Sequence, residues 1–323
     1  MQPEIVQRQA EVTLEQAGWR FDRAAAALFP EYSRSRLQTW IADGNLLLDG
    51  ETAPAREIVD IGRILNIDVE VEVETTDQPE AMDLDIVFED EHFLIVNKPA
   101  GLVVHPGAGN TSGTLINGLL HHAPQTERLP RAGLVHRIDK DTTGLLVVAK
   151  TLETHTALVD ALQKREITRE YEAIVRGLFV SGGTIDEPIA RDPRDRTKMK
   201  ITAGGRESLT RYRILERFRD HTRLRLKLET GRTHQIRVHM ASIRHPLVGD
   251  PVYGGRMALP KGLGDDARAA MRSFRRQALH ARKLGLVHPI TGESLTWQVP
   301  PPADMQQLIM ALRQDADGLH PDD

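Results

Sequence analysis

Apolar positions recur along the chain in three rhythms, and each predicts a different kind of element. Leu145–Ala149, rich in Val and Leu and preceded by Gly144, is an unbroken run that predicts a buried strand. Leu84–Phe88 and Phe93–Pro99 predict two more strands around an acidic turn. Alternation marks Arg169–Val175, and it marks Arg211–Lys227, where Leu224, Leu226 and Leu228 face away from Arg223, Arg225 and Lys227. The second segment predicts one half-buried strand with a basic face, suited to the backbone of a folded RNA. Helical spacing appears at Leu152–Gln163 through Leu152, Ala157, Leu158 and Leu162, and a short helix is predicted over Thr114–His122. Arg20–Phe29 reads as an Ala-rich helix stopped by Pro30. Ser33–Ile41 reads as a second helix, with Ser33 as its N-cap and Leu37, Trp40 and Ile41 on one face. Asn45–Gly50 follows as a strand and turn. Leu228–Ala241 reads as strand, glycine turn and helix start, and residues 303–323 as a short helix with an acidic tail.

Length and composition change this picture in two ways. A chain of 323 residues has room for two domains. The polar, acidic stretch near 76–83 reads as a linker between residues 18–75 and 84–315, with a tail at 316–323. The chain contains no cysteine, which removes disulfides, thiolate zinc sites and a cysteine nucleophile. MQPEIVQRQAEV has no apolar signal core, and no run of about 18 apolar residues occurs, so a soluble, cytoplasmic protein with no membrane partner is expected. The net charge of −4 conceals an uneven distribution. Residues 1–90 carry 20 acids and 7 bases, a net of −13, whereas residues 91–323 carry 26 acids and 35 bases, a net of +9. Attraction to phosphate depends on local clustering, so the basic body remains compatible with a nucleic-acid partner. Five cations lie close together in Arg191–Lys200.

Candidate chemistry centres on Arg131–Lys150, RAGLVHRIDKDTTGLLVVAK. Asp139 sits there between Arg137 and Lys140, on a loop feeding the buried run. Adjacent cations favour a carboxylate's charged form. On spacing alone, both a catalytic acid and a solvated ion pair fit. Tyr171 alone reads as strand packing. Arg34 and Gln38 alone read as a solvated helix face. His234 and His239 are five apart without an HExxH pattern, and Gly101–Gly109 lacks the spacing of a phosphate-binding loop, so no metal or nucleotide cofactor is expected.

HRIDKDTTGLLVVAK resembles the signature of the RluA-type pseudouridine synthases, whose catalytic aspartate follows His-Arg-Leu/Ile. Asn97-Lys98-Pro99-Ala100-Gly101-Leu102 with His105-Pro106, Arg169-Glu-Tyr171-Glu-Ala and Gly231-Arg232-Thr-His-Gln-Ile-Arg237 are similar to further motifs of that family. The likeness implies an α+β fold, a mixed, largely antiparallel bent sheet with flanking helices. It assigns catalysis to Asp139, with Arg237 paired to it and Tyr171 stacked on the uracil, its hydroxyl a candidate proton acceptor. It places His136, Arg137, Thr143 and Arg232 at the RNA, and Arg137 in the space that the extruded base vacates. His245–Gly254 is expected to build the pocket floor, and Gln277–Arg282 and Leu286–Pro289 to be the final strands. Residues 20–67 resemble an S-four-type RNA-binding domain, which implies contacts from Arg34, Ser35, Arg36 and Gln38. HPGAGN at 105–110 and HPLVGDPVYGGR at 245–256 point within the family to helix 69 of 23S rRNA, or the large-subunit precursor, with another rRNA or tRNA site as the alternative; the enzyme is expected to be a monomer.

Such a reaction breaks a glycosidic bond, turns the uracil and bonds its C5 to the ribose. No oxidation state changes, so neither a redox cofactor nor ATP is required. Two other readings of the same residues stay open here. One is a non-catalytic RNA-binding assembly factor. The other is a nucleoside hydrolase, which needs a second acid about 5–10 Å from the first, with Asp141 the obvious candidate.

Overall fold

The computed structural model describes residues 4–30, 32, 34–71, 78–106, 110–255, 259–260 and 262–318. It divides the chain into two compact units, Met1–Thr76 and Asp77–Asp323.

The first unit runs β1 (Glu4–Glu11), β2 (Trp19–Arg20), α1 (Phe21–Leu28), α2 (Arg34–Ala42), β3 (Leu46–Leu48), β4 (Ile58–Val59) and β5 (Ile64–Val71). β5 is the central strand of a three-stranded antiparallel sheet between β1 and β3. Because β1 pairs along its whole length with β5, the unit starts well before residue 18, where the sequence pattern placed its boundary. Phe21, Leu37, Trp40, Ile41, Leu46, Leu65 and Ile67 form its core, which explains the apolar face of α2. Ser33 and the Ser35 side chain lie outside the described residues.

The second unit comprises β6 (Ile86–Glu89), β7 (Phe93–Lys98), α3 (Leu115–His122), β8 (Thr143–Ala149), α4 (Leu152–Gln163), β9 (Thr168–Arg176), β10 (Gly183–Asp186), β11 (Ile189–Arg191), β12 (Met199–Ile201), β13 (Leu209–Arg217), β14 (His221–Leu228), α5 (Gln235–Ser242), α6 (Asp265–Ser273), β15 (Leu279–Val287), β16 (Ser294–Gln298) and α7 (Ala303–Asp317). Its sheet has the order β10-β13-β14-β9-β15-β8-β7-β6, with β16 also paired to β15. Every pairing in it is antiparallel except β15 with β8. β7 and β8 read as unbroken apolar runs because both of their faces are covered. Leu94, Val96, Leu146 and Val148 pack with Leu115 and Leu119 of α3, whereas Phe93, Ile95, Leu145 and Val147 pack with Leu158 of α4.

Three expectations are corrected. Arg211–Lys227 is not one strand but the hairpin β13–β14, turning at Phe218–Asp220. The final strands are a single long β15 followed by β16, not 277–282 and 286–289. Residues 78–80, read as linker, are tied to α3: the Gln78 carbonyl accepts from Asn117 Nδ2 at 2.8 Å and Glu80 N donates to the Asn117 carbonyl at 3.0 Å. No described helix is long and apolar enough to cross a membrane.

Candidate active site

The loop Asp139–Thr142 joins a core anchor to β8, and its conformation is imposed from several directions. Ile138 is buried in the main core, which turns its neighbours Arg137 and Asp139 outward. Thr142 N donates to the Asp139 carbonyl at 3.0 Å, closing a turn. The Lys140 carbonyl accepts from Lys98 Nζ at 2.7 Å and from Gly101 N at 3.1 Å. Arg276 Nη1 donates to the Asp141 carbonyl at 3.2 Å, while its Nε and Nη2 grip Asp304 at 2.8 and 2.9 Å. Gln277 Nε2 donates to Thr142 Oγ1 at 3.1 Å. Lys98 is fully buried and also donates to the Pro99 and Leu102 carbonyls, so three acceptors match its three protons. Burial pushes its ammonium down to about 7, with Asp141 and Asp139 opposing that shift.

Asp139 opens into a cleft of about 530 Å³ that is also lined by His136, Arg137, Tyr171, Arg232, His234 and Arg237. Groups up to 101 residues apart along the chain, His136 to Arg237, therefore share one cleft. Arg237, on the first turns of α5, donates from Nη1 to Asp139 Oδ2 at 2.9 Å. Its Nε and Nη2 form a fork to Asp250 at 2.7 and 3.0 Å. Asp250 is itself fixed, because its Oδ1 accepts from Val252 N and Tyr253 N at 2.8 and 2.9 Å. Burial opposes the charge on Arg237, but the Asp250 and Asp139 carboxylates outweigh it and raise the guanidinium above its usual range. Burial alone would raise Asp250, yet Arg237 and the two backbone N–H groups hold it below the ordinary carboxylate range.

Asp139 Oδ1 accepts no hydrogen bond among the described residues. His234 Nε2 stands 3.9 Å from it. The Tyr253 hydroxyl accepts from Met199 N at 2.8 Å, so its proton is free to go to His234 Nδ1, also at 2.8 Å. That leaves the His234 proton on Nε2, facing Asp139. Burial keeps His234 below its ordinary range, with Asp139 opposing. The carboxylate thus has one anchored oxygen and one open to the cleft, and its side chain is 18% exposed.

Tyr171, in β9, is 5% exposed and belongs to the main core while its edge lines the cleft. Burial raises its hydroxyl, Arg169 pulls the other way and Asp139 adds to the rise. At neutral pH it is a phenol, able to support a base through its ring and to donate a hydrogen bond. Arg137 is exposed at the cleft. His136 is pushed down to about 3 by burial and by Arg169, and its Nε2 accepts from Val147 N at 3.3 Å, so it braces β8 as a neutral ring. Arg232 reaches the cleft with its Nε on the Glu207 carbonyl at 3.2 Å.

Thr143 does not line the cleft. It is buried in β8 and bonded to His280 Nδ1 at 2.9 Å, a correction that follows from strand alternation after Thr142. Asp141, the second acid a hydrolase would need, is also absent from the described cleft lining. Much of the basic face of β13–β14 is paired with carboxylates: Arg223 meets Glu172 at 2.7 Å and Glu216 at 3.2 Å, and Arg211 meets Glu229 at 3.1 Å. In the first unit, Arg34 and Gln38 donate to the buried Asp22 at 2.8 and 2.6 Å, and Arg36 lies 5.5 Å from the Trp40 ring centre. Asp250 and Tyr253 were placed only in a pocket floor. Nothing in their spacing announced that they hold Arg237 and His234.

Residues 92–242 match the family model described as RNA pseudouridylate synthase. The ribosomal large subunit pseudouridine synthase D of Escherichia coli (strain K12) is 55% identical over 311 residues, covering 96% of this chain and 95% of that protein. The protein of the same name from Xanthomonas campestris is 53% identical over 309 residues, covering 96% and 93%. Among solved structures, human RNA pseudouridylate synthase domain containing 4 is similar with a TM-score of 0.56 and 26% identity, covering 71% of this chain and 92% of that one. With about half of its residues shared with such relatives along nearly its whole length, the chain belongs to the RNA pseudouridylate synthase family and is a pseudouridine synthase of the RluA type.

Proposed function

We propose that the enzyme isomerises uridine to pseudouridine in large-subunit ribosomal RNA, with the helix 69 stem-loop of 23S rRNA as its target. It acts as a monomer in the cytoplasm, where ribosomes are assembled, and uses no cofactor. The observation that carries the reading is the half-anchored Asp139 carboxylate in a cleft rimmed by arginines. The relatives' names supply the class of RNA.

Extruding a uridine from its stack costs about a few kcal/mol, and Arg137 fills the vacated space. Asp139 Oδ1 acts on the sugar as the glycosidic bond breaks, while Arg237 holds the other oxygen and sets its direction. The released uracil turns against the Tyr171 ring, C5 bonds to the ribose carbon as the Asp139 oxygen leaves it, and the C5 proton is lost while N1 takes one up. Mass is unchanged. The first unit acts as an S-four-type RNA-binding domain, in which Arg34, Arg36 and Gln38 of α2 meet the phosphate backbone.

The decisive experiment maps pseudouridine by reverse-transcription stops after carbodiimide treatment of rRNA from a strain lacking the enzyme. The wild-type chain restores the helix 69 stops and Asp139→Asn does not, with at least a 10³-fold loss of rate expected for removing a nucleophile. Stops restored by Asp139→Asn would refute the catalytic assignment.

A further inference from the structure

Arg169 stands two residues before Tyr171 in β9, so both side chains leave the same face of the strand. Both line the cleft. Arg169 is only 8% exposed, yet it has no hydrogen bond and no ion pair among the described residues, and its Nε is fully buried without a partner. A guanidinium in that position is unusual, since buried cations are otherwise paired. The carboxylate whose field favours its charge, Glu229, is already engaged by Arg211 at 3.1 Å and Lys227 at 3.6 Å. The space beside the guanidinium is kept by Gly231. A Cβ at 231 would lie 2.8 Å from Arg169 Nη1, closer than real contacts allow.

We propose that Arg169 is an anion-binding residue of the cleft that takes a non-bridging oxygen of a phosphodiester flanking the flipped uridine. The inference rests on the reading that a uridine enters this cleft. Charge decides between the two acceptors an RNA offers there. A uracil carbonyl accepts a hydrogen bond but leaves the buried cation unbalanced, whereas a phosphate supplies both the acceptor and the missing negative charge. The short distance along β9 to Tyr171 puts that phosphate next to the base the ring supports, so Arg169 sets how deep the nucleotide sits.

The test uses the full-length enzyme and a synthetic helix 69 stem-loop in which one linkage flanking the target uridine, on either side, is a neutral methylphosphonate. Affinity is measured across a salt series for the wild type, Arg169→Met and Arg169→Lys. In the wild type, one of the two neutral linkages weakens binding at least fivefold. Arg169→Met weakens binding of the unmodified RNA by a similar factor, flattens the salt slope by about 0.7–0.9, and gains no further loss from that linkage, while Arg169→Lys recovers part of the affinity. A wild type indifferent to both linkages, or losses that multiply when variant and neutral linkage are combined, overturns the contact. If Arg169→Met does not fold, the wild-type linkage comparison decides alone. Isomerisation of the unmodified stem-loop by the wild type is scored in parallel: product without linkage sensitivity refutes only the phosphate contact, and absence of product refutes the functional reading with it.

Discussion

One guanidinium serves two carboxylates at the centre of this enzyme, and the division is unequal. Asp250 takes the fork of Arg237 and two backbone N–H groups besides, while Asp139 takes a single N–H. Asp250 is therefore the fixed post from which Arg237 is hung, and Arg237 in turn fixes one oxygen of Asp139. Asp250→Asn keeps the shape but removes the charge that balances a buried arginine. Breaking such a pair costs on the order of 3 kcal/mol, and the freed guanidinium closes on Asp139 and takes the oxygen that has to react. We expect kcat to fall by at least tenfold with RNA affinity changed less than twofold, together with a lower thermal midpoint. An unchanged kcat would show that Asp250 only supports the fold. The motif around Asp139 and the arginine of GRTHQIR were legible because each is a compact run of unusual residues. Asp250 was not, because a lone Asp before Pro in a loop looks like any turn until its partner is brought to it.

At the scale of the element, the catalytic loop is held by other segments more than by itself. Its three consecutive carbonyls are gripped by Thr142, by Lys98 with Gly101, and by Arg276. β8, which the loop feeds, is the strand that meets β15 in the one parallel pairing of the sheet, through His280 with Thr143 and Ala281 with Gly144. Gly144 has φ of 111°, and a Cβ there would collide with the Ala281 carbonyl oxygen. Gly144→Ala must either push the two strands apart or twist the loop, so a loss of at least about 2 kcal/mol is expected, measurable as a lower denaturation midpoint alongside reduced turnover. A midpoint within about 0.5 kcal/mol of wild type, the range of neutral surface changes, would contradict this. The positions of β7, β8, β9, α1, α2, α3 and α4 followed from periodicity to within two or three residues. The β13–β14 hairpin was merged into one strand because its turn, Phe218-Arg-Asp220, has no Gly or Pro to mark it.

Over the whole molecule, acid stability is set in part by imidazoles that fold uncharged. His221 in β14 is 1% exposed, and burial pushes it down to about 4. Asp220 and Asp315 oppose that shift and Arg176 adds to it. His105 is likewise lowered to about 4, by burial and by Arg137 and Arg131. As pH falls from 6.5 toward 4, the unfolded chain takes up these protons and the folded chain refuses them, so stability declines through that window. Denaturant midpoints measured between pH 7.5 and 4.5 should fall for the wild type and fall less steeply for His221→Leu. Parallel curves would remove His221 from the account.

From its sequence alone the chain determined most of the strands and helices around the cleft, its family and the acid proposed to react, because those depend on local periodicity and on short motifs whose chemistry lies within a few residues. Only the tertiary structure decided which cations are free. The arginines of β14 look ready for RNA in sequence but are neutralised by glutamates on β9 and β13. Arg169 looks like an ordinary strand residue, yet it is left buried without a partner among the described residues. Charge pairing acts through space at a few ångströms, and the partners lie tens of residues away, so no reading along the chain could assign them.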